Sequence, residues 1–354
     1  MSRFFSKKFA SLTPYTPGEQ PKDTQYVKLN TNEMPFPPSE KALKYARENT
    51  RSLNLYSDPD CSELRAALAE MYHVDANEVI VTNGSDEILN FAFMAFCDDE
   101  HPAVFPNISY GFYPVFAELN GIPYVELPLC DDFSIDIDAY CGIHKTIIIA
   151  NPNAPTGLRI SLADIERILI SNPNNVVIID EAYVDFGGES CLPLVHKYDN
   201  LLITRTFSKS RAMAGARLGF GIGSKALIQD LNSIRYSTNP YNVNSYTLAL
   251  GVGTLIDEEY TQNNCRIIAE NRAYTTAALR ELGFEVLDSS ANFIFARSPL
   301  ISGADLYSKL KAAGVLVRHF SKSEISDFNR FTIGTREQMD ILLKNVKTIL
   351  EDCK

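Results

Sequence analysis

Val176-Val177-Ile178-Ile179-Asp180-Glu181-Ala182-Tyr183 sets an unbroken apolar run directly against a carboxylate. A strand with one wet face alternates apolar and polar residues, whereas a strand covered by helices on both faces is apolar throughout. The run therefore predicts a buried strand of a parallel sheet with Asp180 at its carboxyl end. Similar β-rich runs recur between helical patterns at Val79–Thr82, Ala103–Phe105, Tyr124–Leu127, Thr146–Ala150, Leu201–Thr204 and Leu218–Ile222. Residues from about 50 to 240 thus read as an α/β domain with a mostly parallel sheet.

Beyond Asn239-Pro240 a long, mostly helical stretch runs to about Leu282 and is expected to link two domains. The remainder reads as α+β, with strand candidates Phe284–Leu287, Asn292–Phe295, Val315–Val317 and Phe331–Ile333. A last helix from about Arg336 carries Met339, Ile341, Leu342, Val346, Ile349 and Leu350 near helical spacing. The Pro-rich stretch Pro14 to Pro38 reads as an arm rather than a core element. The expected division is an arm with the start of a small domain over 1–48, a large domain over 49–240, and the linking helix with a small C-terminal domain over 241–354.

A chain of 354 residues exceeds one small core, and 45% hydrophobic with 22% charged residues is the balance of a soluble globular protein. No apolar run approaches a membrane span. The start, Met1-Ser2-Arg3-Phe4-Phe5-Ser6-Lys7-Lys8, lacks the apolar stretch and small-residue cleavage site of a signal peptide, so a cytoplasmic enzyme is expected. A net charge of −11 without a basic stripe argues against nucleic acid or an anionic membrane as main partner. Any anion must then be held by local groups. The seven cysteines (Cys61, Cys97, Cys130, Cys141, Cys191, Cys265, Cys353) are scattered without a Cys-x-x-Cys pair and read as reduced thiols. The five histidines lack metal-ligand spacing, so no metal is expected.

Ligands of an open parallel sheet sit beyond the carboxyl ends of its strands. Four polar clusters follow strand candidates here: Asn83-Gly84-Ser85-Asp86, Asn151-Pro152-Asn153, Asp180-Glu181-Ala182-Tyr183 and Thr206-Phe207-Ser208-Lys209. Gly84-Ser85-Asp86 opens an apolar-periodic helix whose free N–H groups can cradle a phosphate, although Ser and Asp are also ordinary helix caps. Asp180 ends an apolar strand, where an ionised carboxylate needs a cation such as a protonated pyridine nitrogen; capping the next turn is the other reading. Tyr183 and Asn151 can hydrogen-bond one cofactor oxygen, or be satisfied polar groups of the interior. Lys209 is either a solvated lysine or a Schiff-base nucleophile. Arg217, eight residues on, with the Ser208 and Thr206 hydroxyls, can complete a phosphate site beside it.

Asn151-Pro152-Asn153-Ala154-Pro155-Thr156-Gly157, Asp180-Glu181-Ala182-Tyr183, and Ser208-Lys209 with Arg217 resemble, in order and spacing, the fold-type I pyridoxal-phosphate aminotransferases. The resemblance narrows to the histidinol-phosphate aminotransferases through Leu12-Thr13-Pro14-Tyr15, Pro17-Gly18-Glu19-Gln20-Pro21, Leu29-Asn30-Thr31-Asn32-Glu33, Tyr56-Ser57-Asp58-Pro59, Thr82-Asn83-Gly84-Ser85-Asp86-Glu87 and Asn329-Arg330-Phe331-Thr332-Ile333-Gly334-Thr335-Arg336. It implies a large domain with a mostly parallel seven-stranded sheet and a smaller α+β C-terminal domain. It also implies amino transfer between L-histidinol phosphate and 2-oxoglutarate in L-histidine biosynthesis.

Carried onto this sequence, the family pattern makes Lys209 the Schiff-base lysine and the proton-transfer base. Asp180 pairs with the pyridine nitrogen, Tyr183 and Asn151 flank the cofactor hydroxyl, and Tyr110 stacks on the ring. Ser85, the Asp86 backbone N–H, Thr206, Ser208 and Arg217 hold the cofactor phosphate. Tyr56 reaches the phosphate of a neighbouring subunit, implying a homodimer with shared sites. Arg330, Arg318, Tyr15 and Asn32 are the expected substrate contacts. Two departures are visible: Met34 in Asn32-Glu33-Met34-Pro35 and Ala154 each stand where many relatives have Asn, and neither removes a group given a role here. An aromatic-amino-acid aminotransferase and a threonine-phosphate-type decarboxylase are the rival activities on this scaffold. A ligand-sensing regulator is disfavoured because no helix-turn-helix segment precedes residue 50.

Overall fold

The computed structural model describes residues 2–9, 12–21 and 24–352; Cys353 lies outside them. In chain order the strands are β1 (Val27–Lys28), β2 (Val79–Thr82), β3 (Ala103–Pro106), β4 (Tyr124–Leu127), β5 (Thr146–Ala150), β6 (Val177–Asp180), β7 (Leu201–Thr206), β8 (Gly219–Gly223), β9 (Glu285–Val286), β10 (Phe293–Arg297), β11 (Val315–Leu316), β12 (Arg318–His319) and β13 (Phe328–Thr332). Seven of them form one sheet in the order β2-β8-β7-β6-β5-β3-β4. Its pairings are parallel except for β8, which runs antiparallel to both neighbours. The continuously apolar runs are explained by burial on both faces: Ile147 and Ile149 join one core cluster, and Ile148 joins the other. Each fully buried Ile or Leu contributes about 1.5–3 kcal/mol, so burial of both faces of this sheet is a main source of the large body's stability.

The C-terminal part is a second body. An antiparallel sheet of order β12-β13-β10-β9 packs against the helix Arg336–Glu351, which buries Met339, Leu342 and Val346. The long stretch after Pro240 is two helices, Ser245–Ile256 and Glu258–Glu281. The first of these, with the helix Glu40–Asn49, buries into the large-sheet core rather than the C-terminal one. Small residues permit this: a Cβ on Gly253 would lie 2.8 Å from the Ala42 carbonyl oxygen. The boundary at 48/49 thus falls inside the helix Glu40–Asn49, and that at 240/241 in the loop between the helices Lys225–Thr238 and Ser245–Ile256.

The stretch Pro14 to Pro38 also departs from expectation. Its second half is not a free arm, because β1 pairs in parallel with β11 and Leu29 is buried in the C-terminal core. Prolines on either side of this short strand masked it. No helix among the described residues is long and apolar enough to cross a membrane.

Candidate active site

The carboxyl ends of β2, β5, β6 and β7 bring their loops to one rim, around a cavity of about 140 Å³ walled by Ser85, Asp180, Tyr183, Thr206, Lys209 and Arg217 among others. A larger cavity of about 480 Å³ adjoins it toward the C-terminal body, walled by Tyr15, Arg318, Lys322 and Arg330. Tyr110, Ala154, Tyr183 and Lys209 border both.

Asp180 is the buried anion of the smaller cavity. Its neighbour in register is Thr204 on β7, whose hydroxyl donates to it at 3.1 Å. The Tyr113 hydroxyl donates at 3.0 Å. Burial pushes the acid up to about 6 against the pull of these two bonds. A carboxylate out of water with neutral donors alone, the Ala182 N–H among them, and no ion pair among the described residues is short of one cation.

The opposite end is built for an anion. The helix Ser85–Phe96 starts directly after Gly84, which has φ +79°, a conformation that glycine adopts without strain. Its first N–H groups have no partner within the helix. Arg217 lies across this terminus and donates to Ser208 Oγ at 3.3 Å and to Asp86 Oδ2 at 2.9 Å. A Cβ on Gly84 would stand 2.6 Å from the Arg217 guanidinium, so a side chain there would push the guanidinium off this terminus. Thr206 Oγ1 accepts from the Ser208 N–H at 3.0 Å and fixes the turn leading to Lys209. Tyr110 donates to Asp86 Oδ1 at 2.8 Å, which sets its ring at the border of both cavities.

Lys209 Nζ donates to the Thr31 carbonyl at 3.1 Å. The loop carrying it is tethered on the far side by Ser210 to Asp185 and by Arg211 to Glu258. Arg205 on β7, nearly buried, anchors that side through a 2.8 Å ion pair with Glu181.

In the larger cavity Arg330 is partly buried, with NH2 donating to the Asn30 carbonyl at 3.0 Å while its buried Nε has no hydrogen-bond partner among the described residues. No carboxylate pairs with it among the described residues, and burial holds its guanidinium below the ordinary arginine value. Arg318 donates to the Pro17 and Thr16 carbonyls, at 3.5 and 3.4 Å, and its guanidinium lies 5.8 Å from the centre of the Phe320 ring. Tyr15 packs on Phe112 at 4.4 Å and brings the N-terminal arm to the cavity wall.

Two expected residues, Asn151 and Asn32, sit differently. Asn151 is not on the wall of either cavity: its side chain accepts from the Ile160 N–H at 3.0 Å and donates to the Ile160 carbonyl at 3.3 Å. Its own N–H continues the sheet ladder to the Asp180 carbonyl, and the side chain is directed onto the following loop. Ala154 of that loop is on the wall of both cavities, and Pro155 on that of the larger one. Asn32 borders the larger cavity, but its amide is held by Tyr183 and Thr332 and is not free for a substrate. Tyr56 is 77% exposed, stacks on Tyr241 at 4.3 Å and lines neither cavity of its own chain.

The sequence reading missed Tyr113, Thr204 and Lys322, whose Nζ donates to the Asn107 carbonyl at the cavity wall. Thr204 was findable as the strand residue level with Asp180. Tyr113 carries no signal apart from its place in an aromatic helix.

A buried carboxylate lacking a cation, an anion cradle and a lysine amine around one cavity make a site for a flat, phosphorylated heteroaromatic aldehyde. The chain belongs to the class I and II aminotransferases, which are pyridoxal-phosphate-dependent enzymes: the model of that family matches residues 24–346. Within the class it is a member of the histidinol-phosphate aminotransferase family. It is 48% identical to the histidinol-phosphate aminotransferase of Brachyspira hyodysenteriae over 99% of this chain and 100% of that one. It is 45% identical to that of Clostridium beijerinckii over 99% of each. In fold it is similar to the histidinol-phosphate aminotransferase of Sinorhizobium meliloti in complex with pyridoxal-5′-phosphate, with a TM-score of 0.91, 21% identity, and coverage of 100% of this chain and 99% of that one.

Proposed function

We propose that this enzyme transfers the amino group of L-histidinol phosphate to 2-oxoglutarate, giving imidazole-acetol phosphate and L-glutamate, in the cytoplasm and as a homodimer. The carrying observation is Arg330, a partly buried guanidinium whose Nε is buried without a partner and which has no acidic partner among the described residues, in the cavity that adjoins Lys209. A desolvated cation of this kind favours an anionic ligand. The two substrates each bring one, a phosphate or a carboxylate, and take turns.

Pyridoxal phosphate, when bound, supplies an electron sink for the carbanion at the substrate Cα. Asp180 would give the ring nitrogen its counter-charge, and the Ser85 terminus with Thr206, Ser208 and Arg217 would hold the phosphate. Lys209 would attach the cofactor and serve as the base for the Cα proton. Tyr110 would cover the ring, and Tyr183 would donate to the phenolic oxygen. Arg318, Lys322 and Tyr15 surround the distal anion of the substrate. Tyr56 completes the phosphate site of a second copy.

Steady-state rates with histidinol phosphate, phenylalanine and threonine phosphate test the reading. Turnover is expected with the first as amino donor. Absence of activity on it, with transamination of phenylalanine or decarboxylation of threonine phosphate instead, would overturn the assignment.

A further inference from the structure

Every polar atom of Asn32 is engaged. Its N–H donates to Thr332 Oγ1 at 3.0 Å, and Thr332 Oγ1 donates back to its Oδ1 at 3.0 Å. Its carbonyl accepts from Asn292 Nδ2 at 2.9 Å, and its own Nδ2 donates to the Tyr183 hydroxyl oxygen at 2.9 Å. Asn32 has φ +57°, a left-handed conformation that asparagine tolerates better than most residues. Asn32, Thr332 and Asn292 are all buried.

The direction of these bonds follows from donor counting. Thr332 Oγ1 accepts the Asn32 N–H, so its single proton needs a separate acceptor, and Asn32 Oδ1 is the one in reach. If the amide were turned over, Thr332 would face two donors, and its buried proton would be unpaired at a cost of about 1–3 kcal/mol. That exceeds thermal energy severalfold, so Oδ1 stays on Thr332 and Nδ2 on Tyr183. An amide N–H cannot accept. The Tyr183 oxygen is therefore the acceptor in this pair, and its proton must go elsewhere. Tyr183 borders both cavities, and its hydroxyl has no other hydrogen bond among the described residues.

We propose that Asn32 and Thr332 are positioning residues that make the Tyr183 hydroxyl a one-way proton donor into the active-site cavity. Ala154 sharpens the need: a methyl group stands on the wall shared by the two cavities and offers no hydrogen bond. Tyr183 is thereby the side-chain donor available to a phenolic oxygen on that side. The same strap, through the Thr31 carbonyl, holds Lys209 Nζ. The C-terminal strand β13 thus reaches the cofactor chemistry through residues that do not touch substrate.

The inference rests on the reading of Lys209 as the lysine that carries pyridoxal phosphate. The test is the pH titration of the visible absorbance of the bound cofactor, with apoprotein melting recorded beside it. Without the Tyr183 donor, the phenolic oxygen holds the proton it shares with the Lys209 nitrogen more tightly. In Thr332→Val the amide is free to turn and accept the Tyr183 proton; in Asn32→Gly, where glycine suits the backbone, no amide oxygen is left to capture it. Thr332→Val should therefore raise the titration midpoint by about one unit, Asn32→Gly by clearly less, and Thr332→Ser should restore it. A purely structural role would lower melting and leave the midpoint where it is, and that result overturns the proposal. So does a Thr332→Ser variant that shifts as far as Thr332→Val. If instead the native protein gives no visible band with pyridoxal phosphate, or Lys209→Ala keeps the native one, it is the reading of Lys209 that fails.

Discussion

Asp180 holds its charge away from water without a cation of its own, which makes it costly to the apoprotein and useful to the holoenzyme. The unfolded chain releases this proton near 3.8 and the folded apoprotein near 6, so the folded state binds the extra proton between those values. Stability from this group is complete below the first value, declines as pH rises through the window, and is lower by about 3 kcal/mol above it. Asp180→Asn should therefore raise the melting temperature of the apoprotein at pH 7.5, flatten its dependence between pH 4 and 6, and cost about a hundredfold or more in kcat. An apoprotein of unchanged melting at pH 7.5 would show that the carboxylate is compensated. Arg330 is the converse case, a partly buried cation with no acidic partner among the described residues. Arg330→Ala should cut kcat/KM for both substrates by about 2–4 kcal/mol in activation terms, with Arg330→Lys intermediate, because a point charge replaces a fork of donors. Equal kinetics for Arg330→Lys and the native enzyme would deny the fork its role.

Strands were readable and loop aim was not, and the reason lies in what each depends on. The run from Val176 to Ile179 and its companions declare burial through composition alone, so the sheet and the rim carrying Asp180 and Lys209 could be placed from sequence. Asn151 shows the limit: its type suits a cofactor contact, but the loop that follows turns its side chain onto Ile160 and puts Ala154 on the wall. The strand β1 was hidden because two residues among prolines give no period to detect. Close packing between elements was equally silent. A Cβ on Gly219 at the start of β8 would lie 2.4 Å from the Ser85 nitrogen and 2.5 Å from the Gly84 carbonyl carbon. Gly219→Ala must push the helix terminus off the sheet, because backbone atoms cannot rotate aside as a side chain can. It should weaken pyridoxal phosphate binding about tenfold or more and destabilise the protein by about 1–3 kcal/mol. Gly215→Ala, in the same region but with no atom within 4 Å of the added Cβ, serves as the control. Native cofactor affinity in Gly219→Ala, measured by equilibrium titration of the apoprotein, would remove the helix terminus from the phosphate site.

At the scale of the whole molecule, the N-terminal stretch clasps the two bodies together. Its β1 pairs with β11 of the C-terminal body, while Thr31 and Asn32 reach Lys209 and Tyr183 of the large sheet. The segment that follows its first helix behaves differently, exposing Leu53, Leu55 and Tyr56 to solvent, with Tyr56 laid on Tyr241. Apolar exposure of this kind suits contact with another protein surface, and a symmetric pair of copies buries the same patch twice. If Tyr56 serves the partner's site, neither Lys209→Ala nor Tyr56→Ala homodimers hold an intact site. A hybrid of the two carries one site lacking both groups and one with both. Unfolding and refolding an equal mixture should therefore recover roughly a quarter of the native rate from two preparations of low activity, since random pairing makes half the dimers hybrid. The recovery has to follow hybrid formation, so mixing native dimers without dissociation should restore nothing at first. Failure of the refolded mixture to exceed the average of its parents, with hybrids demonstrated by mass, would place Tyr56 outside the shared site and leave each subunit complete in itself.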